Sequence, residues 1–378
     1  MTAAGLIRTC PLGDAWFAVS TGDRAPVATV DGRTVSVDEA ADAAAAILRQ
    51  ARAPLVYGLG QTSCEAQRRA VGLGEAIGAV VHPAGGGAAS VAYQAIGSST
   101  ATFGEIRDRA ELVVVWRADP AVTNPRLLER LRLERATRGQ RALVVVDAQP
   151  TATAEEADAF VELDTRHDVE ALWSLRALVT SGPLDHDRAG ALPLDDLAER
   201  LLAARHVAVL YGAVDEVSAL ALFSLVRDLS RDRHAVTLGL RRDGNARGAE
   251  DVLAWQTGFP AAVSFARGYP RSNPGELSAA ALLEHSEVDA ALVVASDPLD
   301  HLPAAAADRL RELPTVVVDT RATATSQAAR VAFATAADGI EVPGTVHRMD
   351  GVPVPLRAPV AAERPGLEDV LTAIGGRL

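Results

Sequence analysis

The chain contains no lysine; all 37 of its basic residues are arginine. That absence excludes Schiff-base chemistry, a P-loop lysine and a lysine general base. Cysteine is almost as scarce. Cys10 and Cys64 are the only thiols, too few for a four-ligand metal site or an iron–sulfur cluster, and each reads as a small buried apolar side chain in a reducing compartment. No apolar run approaches the roughly 20 residues that a bilayer span needs. The first thirty residues carry Asp14, Asp23 and Arg24 rather than a basic start and an apolar stretch, so no secretory signal is read there. The expectation is a cytoplasmic protein that meets no membrane. With 49 acidic residues and a net charge of -12, a general nucleic-acid surface is not expected either. One local cluster, Arg231, Arg233, Arg241, Arg242 and Arg247, is a place for an anionic ligand or partner, or simply a solvated charged face.

What the sequence does have is 48% apolar residues over 378 positions, enough for two cores. Short apolar runs such as LVVVW, ALVVV, HVAVL and TVVVD suit buried parallel strands. Glycine turns and helical stretches alternate with them. PLVYGLG, from Pro54, followed by a helix over 63–77, starts the series. Before it, VATVDGRTVSVDEAADAAAAILRQA reads as a hairpin turned at Asp31-Gly32 and a helix. After Val331, GIEVPGTVHRMDGVPVPLRAP reads as a β meander turned at Asp350-Gly351.

The chain also repeats itself. ELVVVWRADP, from Glu111, leads through a helix to ALVVVDAQPTATAEEAD; much later ALVVASDPLD, from Ala291, leads through a helix to TVVVDTRATATSQAAR. Upstream of each copy lies a second matching pair, VYGLGQTSCEAQ at Val56 and LYGAVDEVSALA at Leu210. The fold class is therefore α/β, with two related doubly wound, Rossmann-like units. The expected division is an N-terminal module at 1–51, a first unit at 52–160, a helical connection at 161–202, a second unit at 203–335 and a β-rich segment at 336–378.

Ligands of such sheets lie beyond the carboxyl ends of the strands. Asp119, Asp147, Asp297 and Asp319 fall at such ends, followed in each copy by threonines: Thr151 and Thr153, Thr323 and Thr325. The carboxylates suit ribose hydroxyls or a guanine edge, and the threonines and nearby amides suit phosphate. Equally, Asp-Pro is an ordinary helix start. The stretch VVHPAGGGAAS at Val80 is open in the same way: a glycine loop whose amides approach a phosphate, or a site without chemistry, since only His82 carries a proton or a lone pair for a metal. A lone loop histidine is more often solvated than ligating.

The stretch ARGAEDVLAWQTGFPAAVSFARGYPRSNPGE, 246–276, resembles the B subunit of formylmethanofuran dehydrogenase, as do GLGQTSCEAQRRAV, FGEIRDRAELVVVW, GIEVPGTVHRMDGVPV and CPLGDAWF. The matches run in order over nearly the whole chain. The resemblance implies the molybdopterin oxidoreductase fold, whose two α/β units each hold half of a bis-pterin guanine dinucleotide cofactor. It also exposes departures. The family's catalytic form has N-terminal cysteines for a [4Fe-4S] centre, where this chain keeps Cys10. The family's Cys-His-Gly-Pro run, whose thiolate ligates tungsten or molybdenum, corresponds here to Gly85, Gly86, Gly87, Ala88 and Ala89, which offer no ligand. By the resemblance, no iron–sulfur, molybdenum or tungsten cofactor is expected, and the aspartates and threonines above line a vestigial cofactor cleft.

The same family includes a variant in aerobic methylotrophic bacteria, part of a formyltransferase/hydrolase complex. There a formyl group passes from tetrahydromethanopterin to a methanofuran-like carrier and is hydrolysed to formate on formyltransferase and amidohydrolase-like subunits. The resemblance thus implies a non-redox structural subunit with no catalytic residue of its own. Two alternatives remain: a working pterin-dependent dehydrogenase subunit, and a binding subunit whose old cleft, lined by Arg117, Arg267 and Arg271, holds an acidic carrier or a nucleotide; these arginines and Asn273 are the candidate contacts for an anion or a partner. The 267–276 loop, with two prolines and two glycines, is read as an irregular surface element.

Overall fold

The structure, a computed structural model, describes residues 11–21, 25–85, 87–181 and 194–378. Cys10 and Gly86 lie outside the described residues. The apolar runs become strands in this order: Ala28–Val30 (β1), Arg33–Thr34 (β2), Pro54–Gly58 (β3), Val80–Pro83 (β4), Leu112–Trp116 (β5), Ala142–Asp147 (β6), Ala159–Glu162 (β7), His206–Tyr211 (β8), His234–Gly239 (β9), Val263–Ser264 (β10), Arg271–Ser272 (β11), Ala290–Val294 (β12), Thr315–Asp319 (β13), Val331–Ala334 (β14), Gly344–His347 (β15) and Pro353–Leu356 (β16). The β1–β2 turn is the expected one. Asp31 and Gly32 have φ of 48° and 73°, as a two-residue type I′ turn requires.

Residues 1–87 and 243–378 make one compact unit and residues 88–242 the other. In the first, β4, β3, β12, β13 and β14 pair in parallel, with β10 and β11 added antiparallel beyond β4 and β1 and β2 beyond β14. In the second, five parallel strands run in the order β7-β6-β5-β8-β9. Side chains of the first sheet alternate between two cores, with Val56, Leu292, Val294, Val316 and Val318 in one and Leu55, Tyr57, Ala291, Val293 and Val317 in the other. This is why strands covered on both faces read as unbroken apolar runs. Each such valine or leucine contributes about 1.5–3 kcal/mol by leaving water.

The division expected from the sequence, 52–160 and 203–335, is not the division of the fold. β3 and β4 from the first half pair with β12 to β14 from the second, while β8 and β9 from the second pair with β5 to β7 from the first. Each unit joins the glycine-turn piece of one copy to the Asp-Pro piece of the other. Both copies carry equivalent apolar strands, so local sequence does not encode which partner each strand takes.

The N-terminal module is not separate either. β1 pairs with β14, and helix Val37–Gln50, capped by the Ser36 side chain on the Glu39 N–H, sends Ala40, Ala41, Ala44 and Leu48 into the same core. The expected C-terminal meander is a single β15–β16 hairpin. It is followed by helix Leu367–Gly375, whose Leu367, Val370, Leu371 and Ile374 fill that core. The connection at 161–202 supplies helices Asp168–Ser181 and Asp195–Ala203, whose Ala171, Leu172, Leu175, Leu197 and Leu201 belong to the core of the second unit.

Candidate functional site

Each sheet has one pair of neighbours where the winding direction reverses: β3 and β12 in the first unit, β5 and β8 in the second. Ligands of doubly wound folds bind outside the carboxyl ends of such a pair. In both units the chain here runs too close for a side chain. A Cβ on Gly58, at φ 112°, would strike the carbonyl oxygen of Val294, and one on Gly212 would strike that of Arg117. The residue that follows the neighbouring strand is left-handed in both copies, Arg117 at φ 53° and Ala295 at φ 47°.

The aspartates and threonines singled out in the sequence do come together, once in each unit. Asp119 Oδ1 accepts from the Thr153 N–H at 2.9 Å and the Thr153 hydroxyl at 2.6 Å, and Oδ2 from the Ala152 N–H at 3.2 Å. Asp297 repeats this with Thr325, at 3.0 Å and 2.5 Å, and with Ala324 at 3.1 Å. Neither carboxylate caps the helix its Asp-Pro begins. Each instead fixes the start of the helix that follows the next strand, Ala152–Glu156 or Ala324–Ala328, whose N-caps are Thr151 and Thr323. These groups are thus engaged inside the fold, as orphan amides at helix starts require.

Beyond this shared motif the two units part. In the second, the Arg117 side chain is 4% exposed and forks onto Asp168, with Nη2 at 2.6 Å from Oδ1 and Nε at 3.0 Å from both oxygens; Nη1 reaches Asp147 at 3.5 Å. The guanidinium expected to meet a ligand is held by two carboxylates. In the first unit Ala295 stands in that place. The buried Asp319 accepts from the Arg321 N–H at 2.9 Å and its Nε at 3.4 Å through Oδ1, while Oδ2 has no hydrogen-bond partner among the described residues. Burial pushes the Asp319 carboxyl above the ordinary carboxylate range, against the pull of Arg321.

After β4 the chain turns through Gly85 and Gly87, at φ 70° and 129°, and Ala88 and Ala89 open helix Ala88–Ile96. No donor side chain stands at 83–85 or 87–89. His82 is no loop histidine, as the sequence led us to expect. It lies in β4, buried, with Nδ1 accepting the Ala279 N–H at 2.8 Å and its ring set edge-on to Tyr57, the ring centres 6.0 Å apart. The Tyr57 hydroxyl in turn meets His301 Nε2 at 2.9 Å, and burial pushes the phenol's pKa well up. Among the described residues no group of three or more His, Cys, Asp or Glu is placed to hold a metal ion. A tungsten or molybdenum ion needing a soft protein ligand does not fit the side chains of this loop.

The turn from β3 into helix Cys64–Ala76 is also closed to anions. Asp338 accepts from the Thr62 hydroxyl at 2.7 Å and the Ser63 N–H at 2.8 Å, so a carboxylate already sits where the helix dipole would draw one. Burial raises the pKa of Asp338, and likewise that of Cys64, a buried thiol 3.6 Å from Asn245 Nδ2.

Arg267 and Arg271 lie elsewhere. β10 and β11 form a hairpin in which Ser264 faces Arg271 on one side and Val80, the first residue of β4, on the other. Its turn therefore lies at the amino ends of the parallel strands, opposite to the expected cleft, and the exposed Asn273 follows it into helix Pro274–Leu277. Three arginines of the other cluster are engaged locally: Arg231 on Asp228, Arg233 on the Leu202 carbonyl, and Arg247 on Asp251. Reading the sequence missed Asp168, Asp338 and the Tyr57–His301 pair. Asp168 sits in DTRHDVEA, where it looks like one more helix-start acid; the fold's pairing alone marks it.

No protein-family model matches the chain. The B subunit of the tungsten-containing formylmethanofuran dehydrogenase 2 of Methanocaldococcus jannaschii is 34% identical over 348 residues, covering 86% of this chain and 79% of the relative. The chain belongs to the family of formylmethanofuran dehydrogenase B subunits. Within this family, the B subunit of the formyltransferase/hydrolase complex Fhc of Methylorubrum extorquens is 31% identical over 281 residues, 72% of this chain and 75% of the relative. Among solved structures, that of the Methylorubrum extorquens complex FhcABCD with methylofuran matches with a TM-score of 0.75 at 27% identity, covering 93% of this chain and 98% of the other. Acetylene hydratase of Pelobacter acetylenicus matches 98% of this chain and 63% of its own with a TM-score of 0.64 at 15% identity, a likeness of fold. The family membership agrees with the resemblance read from the motifs, and the parallel α/β sheets agree with the expected fold class.

Proposed function

We propose that the chain is a non-redox structural subunit of a formyltransferase/hydrolase complex of one-carbon metabolism. In this reading the formyl group passes from tetrahydromethanopterin to a methanofuran-like carrier and is hydrolysed to formate on formyltransferase and amidohydrolase-like partners, in the cytoplasm, while this subunit holds them. One observation carries it: a chain of this family turns from β4 through glycines at positive φ, with no thiolate in the loop and its neighbouring histidine committed to a backbone amide. Gly85, Gly87, Ala88 and Ala89 then stand, with Gly86, at the family's vacated ligand position. No [4Fe-4S], molybdenum or tungsten centre is expected in the chain. Its aspartate–threonine pairs are remnants of a cofactor cleft now serving as helix caps.

A second reading has an observation of its own. The tungsten-containing relative is somewhat more identical to this chain than the Fhc relative, which favours a pterin-dependent dehydrogenase subunit. Native mass spectrometry of the tagged chain from its own cells separates the two. Bare chain mass in company with formyltransferase and amidohydrolase-like subunits is the expected result. Added mass of two pterin dinucleotides with tungsten or molybdenum, matched by metal analysis, would replace it with the dehydrogenase reading.

A further inference from the structure

Between Asp251 and Glu276 the chain contains no acidic residue over 24 positions, in a protein whose acids outnumber its bases 49 to 37. That segment also holds the two most exposed aromatic side chains of the described residues, Trp255 at 73% and Tyr269 at 53%. Its end is the β10–β11 hairpin, with the tip at residues 264–271. The tip is built firmly. Phe265 is buried, the Gly268 N–H donates to the Phe265 carbonyl at 2.8 Å with Gly268 at φ 77°, Pro270 fixes its own backbone, and Ser272 Oγ donates to the Ala261 carbonyl at 2.8 Å. Arg267, Tyr269 and Arg271 all stand exposed on it, and no carboxylate pairs with either guanidinium among the described residues.

Two exposed arginines beside an exposed tyrosine on a rigid turn are the residue types that dominate protein–protein contacts, and rigidity lowers the ordering cost of binding. Residues 266–269 and Arg271 are all exposed, so the tip does not enclose a small anion. It carries only two cations on a chain of net charge -12, which disfavours a nucleic-acid backbone. β11 is two residues long and is followed at once by Asn273-Pro274, so it offers little for strand addition.

We propose that this hairpin is a docking element for an acidic surface of a neighbouring subunit, its arginine forks meeting carboxylates around an anchoring Tyr269. The inference rests on the complex-subunit reading above and gives that reading a contact point. It lies at the amino ends of the parallel strands, away from the old cofactor side.

The test is to purify the tagged full-length chain with its partners and to measure subunit ratios by native mass spectrometry across a salt series. The R267E/R271E double variant and Tyr269→Ala are compared with R130E, which changes an exposed arginine of the second unit that no carboxylate holds. All altered side chains are exposed, so thermal melts should be unchanged; should the charge reversal fold poorly, R267Q/R271Q replaces it. We expect wild type and R130E to keep the full set. In the hairpin variants the amount of one co-purifying partner should fall roughly tenfold or more, at lower salt than wild type. Hairpin variants that keep all partners at wild-type ratio and salt resistance overturn the docking element and leave the complex reading intact. A wild-type chain that arrives without formyltransferase or amidohydrolase-like subunits overturns both.

Discussion

The two units carry the same motif and have treated it differently. Around β5 and β8 the switch point holds an arginine clamped between Asp168 and Asp147; around β3 and β12 it holds an alanine beside a buried aspartate with one oxygen unpartnered. The capping bonds of Asp119 and Asp297 match within about a tenth of an ångström at each position. What is shared serves the fold. What differs lies where a ligand would be met, so a duplicated scaffold holds its structural polar groups fixed while its recognition groups drift.

The comparison can be broken at several places. The largest effect is expected from Arg117→Ala, which leaves Asp168 buried and unpaired and should cost about 3–5 kcal/mol. Urea unfolding gives the size, and amide exchange on β5 and β8 should locate the damage in the second unit. Ala295, at the matching position of the first unit, has no such role. Next come Gly58→Ala and Gly212→Ala, where the new methyl group meets a backbone oxygen. Each should cost about 3 kcal/mol, the upper end for overpacking, and Gly58, with its positive φ, should suffer more. Equal midpoints for the two would show that the positive φ of Gly58 adds no cost of its own.

The shared motif predicts near-equality. Asp119→Ala and Asp297→Ala should each lose about 1.5–3 kcal/mol in the same urea titration, because hydrogen bonds to a charged acceptor are lost and buried donors stranded. Their double variant should be additive within about 0.5 kcal/mol. The smallest effect concerns pH. Asp319 has a raised pKa in the native state, so above about 3.9, where the unfolded chain releases this proton, the native state still holds it. Its contribution to stability therefore falls as pH rises through that window. Asp319→Asn should flatten the fall in a difference between two stability–pH profiles; parallel profiles would contradict the burial argument.

Much of this was legible in the sequence. Five-residue apolar runs located the strands, the stretch at 63–77 a helix, and Asp31-Gly32 a hairpin, because these signals are local. The repeat of Asp-Pro with Thr-Ala-Thr revealed two related units. What stayed hidden depends on distance along the chain. Nothing near β3 says that it pairs with β12, nor near Arg117 that Asp168 would hold it. His82 looked like a loop residue because the apolar run ahead of it is short and glycines follow; only the docking of helix Ala279–Glu284, through the Ala279 amide, makes it part of the interior.

The interleaving of the chain also sets an order of assembly during translation. The second unit is one continuous stretch, 88–242, whereas the first needs both ends of the chain. Ala53 finds its carboxylate partner Asp289 only 236 residues later. β3 and β4 therefore emerge from the ribosome with both edges of their pair unmade, since β10 and β12 come later, and must stay unaggregated while the second unit is synthesised and folds. A ribosome stalled far enough beyond residue 242 for that residue to have left the exit tunnel should carry a protease-resistant second unit and a cleavable N-terminal segment, and binding by a general chaperone should concentrate on that segment.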